Sequence, residues 1–167
     1  MYPEHVCNVM FNLLDSHDTM RLITRSNNNI DEFYQKLCVL FTMNGTVCIY
    51  YGTEIILPGG YDSDCRRCMP WNDIEKGKDN KNIETAKSLI SMRKNYEELR
   101  NGEIRFLPEN SGRIIAYQKF SSNITIRIII NCSKTEYTLD TNFKQMLFER
   151  ELKRKTLKPN GAAIMLM

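Results

Sequence analysis

The hydrophobic period of this chain changes near residue 102, and few folds accommodate both periods in one sequence. Before that point strand-like and helix-like segments alternate. Met10-Phe11-Asn12-Leu13-Leu14 is a short, nearly continuous apolar run, as expected of a strand covered on both faces. Ile30, Phe33, Tyr34, Leu37, Cys38 and Phe41 then recur at three- and four-residue spacing, predicting an amphipathic helix. Asn29 is placed to cap its start, Glu32 to complete a capping box, and Asn44-Gly45 to stop it. Residues 46–51 read as a second buried strand ended by Gly52. After a long polar loop, Ile83, Ala86, Leu89, Ile90, Tyr96 and Leu99 form the stripe of another helix. This order is the grammar of an α/β barrel or a doubly wound sheet.

Beyond Asn101-Gly102 the period becomes two. Residues 113–120 and 124–130 read as strands joined by Ser121-Ser122-Asn123, with Ile124, Ile126, Ile128 and Ile130 on one face. Residues 143–148 add a third strand, and Pro159-Asn160-Gly161 predicts a turn into a last one at 162–167. The expected fold class is therefore α/β plus all-β, with residues 1–102 in the first part and an antiparallel β-sandwich over 103–167.

Charge and cysteine usage narrow the partners. A net charge of +3 is too small to point to nucleic acid. The most basic cluster, Arg150, Lys153, Arg154, Lys155 and Lys158, is diluted by Glu149 and Glu151 and reads as a solvated face. No apolar run has the length of a membrane helix, so no membrane partner is expected. No signal-peptide pattern opens the chain, and Met1-Tyr2-Pro3-Glu4-His5 reads as the middle of a longer polypeptide. Cys7, Cys38 and Cys48 sit within apolar runs, where a thiol serves as a small hydrophobe, so a reducing, cytoplasmic setting is expected.

Chemistry concentrates just after the first strand. Asp15-Ser16-His17-Asp18-Thr19, followed by Arg21, gathers ionisable groups at the C-terminal end of a buried strand. That is where a (β/α)₈ barrel builds its active site, although an ordinary strand-to-loop junction with an N-cap aspartate has the same composition.

Phe11-Asn12-Leu13-Leu14-Asp15-Ser16-His17-Asp18-Thr19 resembles a signature region of the α-amylase clan, at the end of barrel strand seven. Ile49-Tyr50-Tyr51-Gly52-Thr53-Glu54-Ile55 is similar to the clan's strand-eight segment. Gly59-Gly60-Tyr61-Asp62 with Cys65-Arg66-Arg67-Cys68-Met69-Pro70-Trp71 resembles the neopullulanase, cyclomaltodextrinase and maltogenic amylase branch. The resemblance implies the last two βα units of a (β/α)₈ TIM barrel followed by the clan's C-terminal domain. It implies that Asp18 is the transition-state-stabilising carboxylate, neither nucleophile nor general acid. It implies that His17 bonds the same glucose unit. Arg21 and Trp71 are the further substrate-binding candidates, Trp71 either stacking on sugar or simply buried, and His5 matches no motif.

The implied substrates are α-1,4-glucans, cyclodextrins or pullulan, cleaved through a covalent glycosyl-enzyme intermediate with no cofactor or metal assigned. The nucleophile and acid/base belong to strands four and five of such a barrel, and no other acidic residue here matches their motifs. The chain alone is therefore expected to be inactive, and its unpaired barrel strands to self-associate. Two residues depart from the family's pattern: Met20 stands where proline is usual and Ile56 where glycine is.

Cys65-Arg66-Arg67-Cys68 also has the spacing of half a zinc site or of a redox pair. A structural zinc needs four ligands, and a redox pair should open a helix directly after a strand. A non-catalytic binding or structural module, with a cysteine-ligated metal, is thus the rival reading.

Overall fold

The computed structural model describes residues 3–140 and 142–167. A short helix α1 (Glu4–Cys7) leads into strand β1 (Phe11–Asn12). Helix α2 (Leu22–Arg25) and helix α3 (Ile30–Thr42) precede strand β2 (Thr46–Val47), which pairs with β1 in parallel, Phe11 opposite Thr46 and Asn12 opposite Val47. Both expected strands are thus present but only two residues long. They are not covered on both faces: Phe11 is 64% exposed, and Val9, Met10 and Leu13 are exposed beside it. A parallel strand is buried only where neighbouring strands and crossover helices flank it, and this sheet has two strands.

Asn29 caps α3, its Oδ1 accepting from the backbone N–H groups of Asp31 and Glu32, both at 3.0 Å. The capping box stays half made, because the Glu32 carboxylate turns to Lys36, 2.7 Å away. Phe33, Tyr34, Leu37, Cys38 and Phe41 are buried as the periodicity requires, whereas Ile30 in the first turn is exposed. The polar loop after β2 holds two 3₁₀ turns, Thr53–Ile55 and Asp64–Arg66, and a short helix α4 (Trp71–Glu75). The next predicted helix divides into α5 (Asn80–Asn95) and α6 (Glu98–Asn101). Arg93 sits at the junction, donating to the carbonyls of Phe41, Met43 and Leu99 at 2.9, 2.8 and 2.7 Å. It thereby supplies donors that the C-terminal ends of α3 and α6 cannot find within themselves.

The second half is a single antiparallel sheet. Its strands are β3 (Glu103–Phe106), β4 (Ile114–Phe120), β5 (Thr125–Asn131), β6 (Tyr137–Thr138), β7 (Gln145–Lys153) and β8 (Thr156–Leu166). β8 is central, with β7 along one side and β5 then β6 along the other, and β3 forms the outer edge beside β4. Where a two-sheet sandwich was expected, the strands among the described residues share one hydrogen-bonded sheet of six.

The predicted turn at 159–161 lies inside β8, and the chain reverses instead at Arg154-Lys155. The turn-forming residues make an irregularity in mid-strand, with Asn160 at φ 60° near Glu151 at φ 51°. Side chains satisfy the backbone there. Asn131 Nδ2 donates to the carbonyls of Leu157 and Lys158, and Gln35 Nε2 to that of Gly161. β3 and β6 are additional to the strands expected from the sequence.

One face of the sheet, with Tyr117, Ile126, Ile128, Ile130, Phe148 and Ile164, packs on α3, α5 and α6 in a shared core. The other face carries a smaller cluster of Ile114, Ala116, Ile129, Leu139, Leu157, Ala163 and Met165. The halves on either side of residue 102 are therefore joined by their largest apolar cluster. Among the described residues, no helix is long and apolar enough to cross a membrane.

Candidate active site

The polar segment after β1 folds back against the segment after β2, and hydrogen bonds tie the two together. Asp15 is buried at the end of β1. Its Oδ2 accepts from the Leu22 N–H at 3.0 Å, and the Thr53 hydroxyl lies 3.1 Å from both carboxylate oxygens. Asp15 thus takes the first backbone N–H of α2, whose N-cap position is Arg21, and it also anchors the loop after β2.

Arg21 is wholly buried. Its guanidinium carbon lies beside both Tyr50 and Tyr51, 4.2 and 4.5 Å from their ring centroids, the two rings themselves meeting edge to face at 4.6 Å, and Nη1 donates to the Tyr51 carbonyl at 2.5 Å. Its backbone N–H donates to Gly59 O at 2.9 Å, and Gly59 N–H in turn donates to Thr24 Oγ1 at 3.0 Å. Expected from the sequence to bind substrate, Arg21 has no exposed surface here and braces the segments around it.

His17 and Asp18 project outward from this frame, their side chains 64% and 69% exposed, with His17 Nε2 3.1 Å from Asp18 Oδ2. Their loop is held from two sides. Ser16 N–H donates to Thr19 Oγ1 at 3.0 Å, and Asp18 N–H to Ser16 Oγ at 3.2 Å. From the other segment, the Cys65 thiol and Arg66 Nε both donate to the His17 carbonyl, at 2.9 and 3.1 Å. Arg66 Nη2 also lies 2.9 Å from Asp62 Oδ1 and 3.8 Å from Asp18 Oδ1. Two carboxylates, an imidazole and a guanidinium thus meet at one exposed patch, a set suited to several hydroxyl groups of a polar ligand. Asp64 is bridged by Arg67, which holds its carboxyl below the usual carboxylate range, with help from Gly60 N–H.

Trp71, at the start of α4, is exposed and stands outside this network. The structure therefore joins His17 and Asp18 with Arg21 beneath them and leaves Trp71 apart. Asp15, Thr53, Asp62 and Arg66 stand within the quoted motifs, but the sequence reading assigned them no role. Only the i,i+4 spacing of Asp62 and Arg66 could have signalled a pair.

Ile56 adopts φ 58° and ψ 39°, a left-handed conformation at the end of the 3₁₀ turn. Glycine occupies such backbone without strain, whereas a β-branched residue is an outlier there. Cys65 is buried and Cys68 exposed, and neither forms a disulfide. Among the described residues, no three His, Cys, Asp or Glu side chains are placed to hold a metal ion.

Comparison with known proteins agrees with this geometry. Residues 2–111 match the family model of the alpha amylase catalytic domain. A cyclomaltodextrinase from a Bacillus species is 43% identical over 141 residues, 83% of this chain and 25% of the relative. Neopullulanase 2 of Thermoactinomyces vulgaris is 36% identical over 134 residues, 78% of this chain and 22% of the relative. The native-form structure of the Nostoc punctiforme debranching enzyme superposes with a TM-score of 0.83 at 27% identity, over 99% of this chain and 37% of that one. The chain thus spans about a quarter of the length of the curated relatives it matches. It belongs to the alpha-amylase family, and the His17–Asp18 site lies within the part matched to that family's catalytic domain.

Proposed function

We propose that the chain supplies part of the active site of a retaining α-glucan hydrolase acting on α-1,4-glucans, cyclodextrins or pullulan. The observation that carries this reading is the His17–Asp18 pair, presented outward at the end of a parallel strand and fixed from behind by Cys65 and Arg66. Asp18 is the transition-state stabiliser: a carboxylate holding sugar hydroxyls binds more tightly as the ring flattens towards an oxocarbenium ion. His17 binds the same sugar unit, and Trp71 offers an exposed face for a neighbouring one.

In this reading residues 1–102 contribute the last two strand–helix units of a (β/α)₈ barrel, and residues 103–167 form the domain after it. The cytoplasm is the compartment, in keeping with Cys38, Cys48, Cys65, Cys68 and Cys132 being free of disulfides. The exposed row along β1 is where further barrel strands, or a second copy in their absence, would pack.

Retaining chemistry needs a nucleophile and an acid/base roughly 5 Å apart, and both lie outside the motifs of this chain. The test is incubation with cyclodextrin, starch and pullulan, first alone and then joined to the upstream three quarters of a cyclomaltodextrinase relative. No turnover alone and glucan hydrolysis by the joined protein are expected. Turnover by the chain alone that disappears in Asp18→Asn, or a well-folded joined protein with no activity, would overturn the reading.

A further inference from the structure

We propose that the outer edge of β3 is a two-fold interface at which two copies of this chain pair their sheets. Among the described residues, β3 has β4 on one side only. Its register with β4 sets Glu103 opposite Phe120, Arg105 opposite Gln118, and Leu107 N–H on the Ala116 carbonyl. In an antiparallel ladder hydrogen-bonded pairs alternate, so residues 103, 105 and 107 turn their backbone groups towards β4. The N–H and C=O groups of Ile104 and Phe106 therefore point away from the sheet, along an edge where residues 103–106 are all exposed. Such an edge is a template for another strand.

Charge selects both the occupant and the register. In a two-fold antiparallel pair, residues facing each other must share a face of the sheet. Centring the pair on Glu103 sets carboxylate against carboxylate, and centring it on Arg105 sets guanidinium against guanidinium. Centring it on Ile104 places each Glu103 across from Arg105 of the second copy, and opposite charges at directly facing positions favour pairing. The backbone admits this register. Ile104 faces Ile104 of the second copy as a hydrogen-bonded pair, while Glu103 and Arg105 meet as the closer, non-hydrogen-bonded pair.

The apolar side agrees. Ile104 and Phe106 lie on the other face and are 37% and 61% exposed. In the Ile104-centred register Phe106 of one copy comes to rest opposite Gly102 of the other, where no side chain obstructs its ring. Gly102 N–H is held by the Glu98 carbonyl, so in this register the Gly102 carbonyl is the group that would accept from Phe106 N–H. A strand of self-complementary charge, with its apolar pair uncovered, fits a second copy of itself better than an unrelated partner.

The experiment is sedimentation equilibrium of the full chain and of three variants: Glu103→Arg, Arg105→Glu and the double exchange. Each single change sets like charges face to face and should weaken dimerisation at least tenfold. The double exchange restores opposite charges and should recover the dimer. Circular dichroism checks that the sheet remains folded in each variant. A monomeric wild type overturns the proposal. So does a dimer that neither single change weakens, which would place the contact elsewhere, the exposed β1 row included.

Discussion

The Cys65 thiol donates to the carbonyl oxygen of His17 at 2.9 Å, so the residue behind the exposed histidine is a cysteine with no exposed surface of its own. Arg66 Nε reaches the same oxygen at 3.1 Å. The two halves of the Cys65-Arg66-Arg67-Cys68 motif thus do different things: Cys65 is built into the wall and Cys68 faces water. Brief treatment of the native chain with iodoacetamide should modify Cys68 and leave Cys65 untouched, as read by peptide mass spectrometry. Cys65 should label only after denaturation. Equal labelling of both thiols under native conditions would show that the His17 loop is not held in this way.

In the protein joined to its upstream segment, Asp18→Asn should lower kcat by roughly 100-fold or more, the scale of losing a group aimed at the transition state. KM should change far less, because the interaction strengthens mainly as the sugar ring flattens. His17→Ala should reduce kcat and raise KM more modestly. An Asp18→Asn enzyme with normal kcat and raised KM would make Asp18 an ordinary binding residue.

The sequence made α3, α5 and the β4–β5 hairpin legible, because each buries an apolar stripe whose period needs no knowledge of the rest. Phe33, Leu37 and Phe41 in α3 and Ile126, Ile128 and Ile130 in β5 all face the shared core. His17 and Asp18 were legible through a motif. The burial of Arg21 was not legible, because a buried guanidinium and an exposed one look alike in one dimension; the Tyr50 and Tyr51 rings beside it come from about 30 residues away. Pro159-Asn160-Gly161 was misread for a related reason. Turn formers bend a strand as readily as they end one, and the side chains that hold this bend, Gln35 and Asn131, are distant in sequence.

Lys119 gives a pH signature. It is buried on β4 and donates to Asn44 Oδ1, and burial, aided by the Arg93 charge, brings its pKa down to about 8. The unfolded chain, with an ordinary lysine pKa near 10.4, holds more protons above pH 8. Stability from this group therefore rises from about pH 8 to 10.5. Burial of Cys38 raises its thiol pKa and works in the opposite direction from about pH 9. The Lys119 contribution is thus read as a difference: between pH 7.5 and 10, wild type should gain about 2 kcal/mol relative to Lys119→Met in urea denaturation. A difference independent of pH would mean that the ammonium stays hydrated.

Gly59 and Gly60 are neighbours with opposite tolerance, which turns the positioning of Arg21 into a measurement. A methyl group on Gly59 would come within 2.7 Å of Asp64 O, 2.9 Å of Arg21 Cγ and 3.0 Å of Cys65 Cα. Two of these belong to backbone, and the third to a wholly buried side chain tied to the Tyr51 carbonyl, so nothing nearby yields cheaply. A methyl group on Gly60 would meet only Asp64, with its nearest atom, Oδ2, at 3.3 Å. Gly59→Ala should therefore cost about 2 kcal/mol, the usual scale of forced overpacking. It should lower Tm by several degrees, while Gly60→Ala stays within about 0.5 kcal/mol of wild type. The same push on Arg21 and Cys65 reaches His17, so in the joined enzyme Gly59→Ala should also reduce kcat, with no side chain at the reacting centre altered. Calorimetry and steady-state kinetics on the two variants decide it: equal Tm values, or a Gly59→Ala enzyme with full kcat, would mean that the loop after β2 does not set the position of the His17–Asp18 pair.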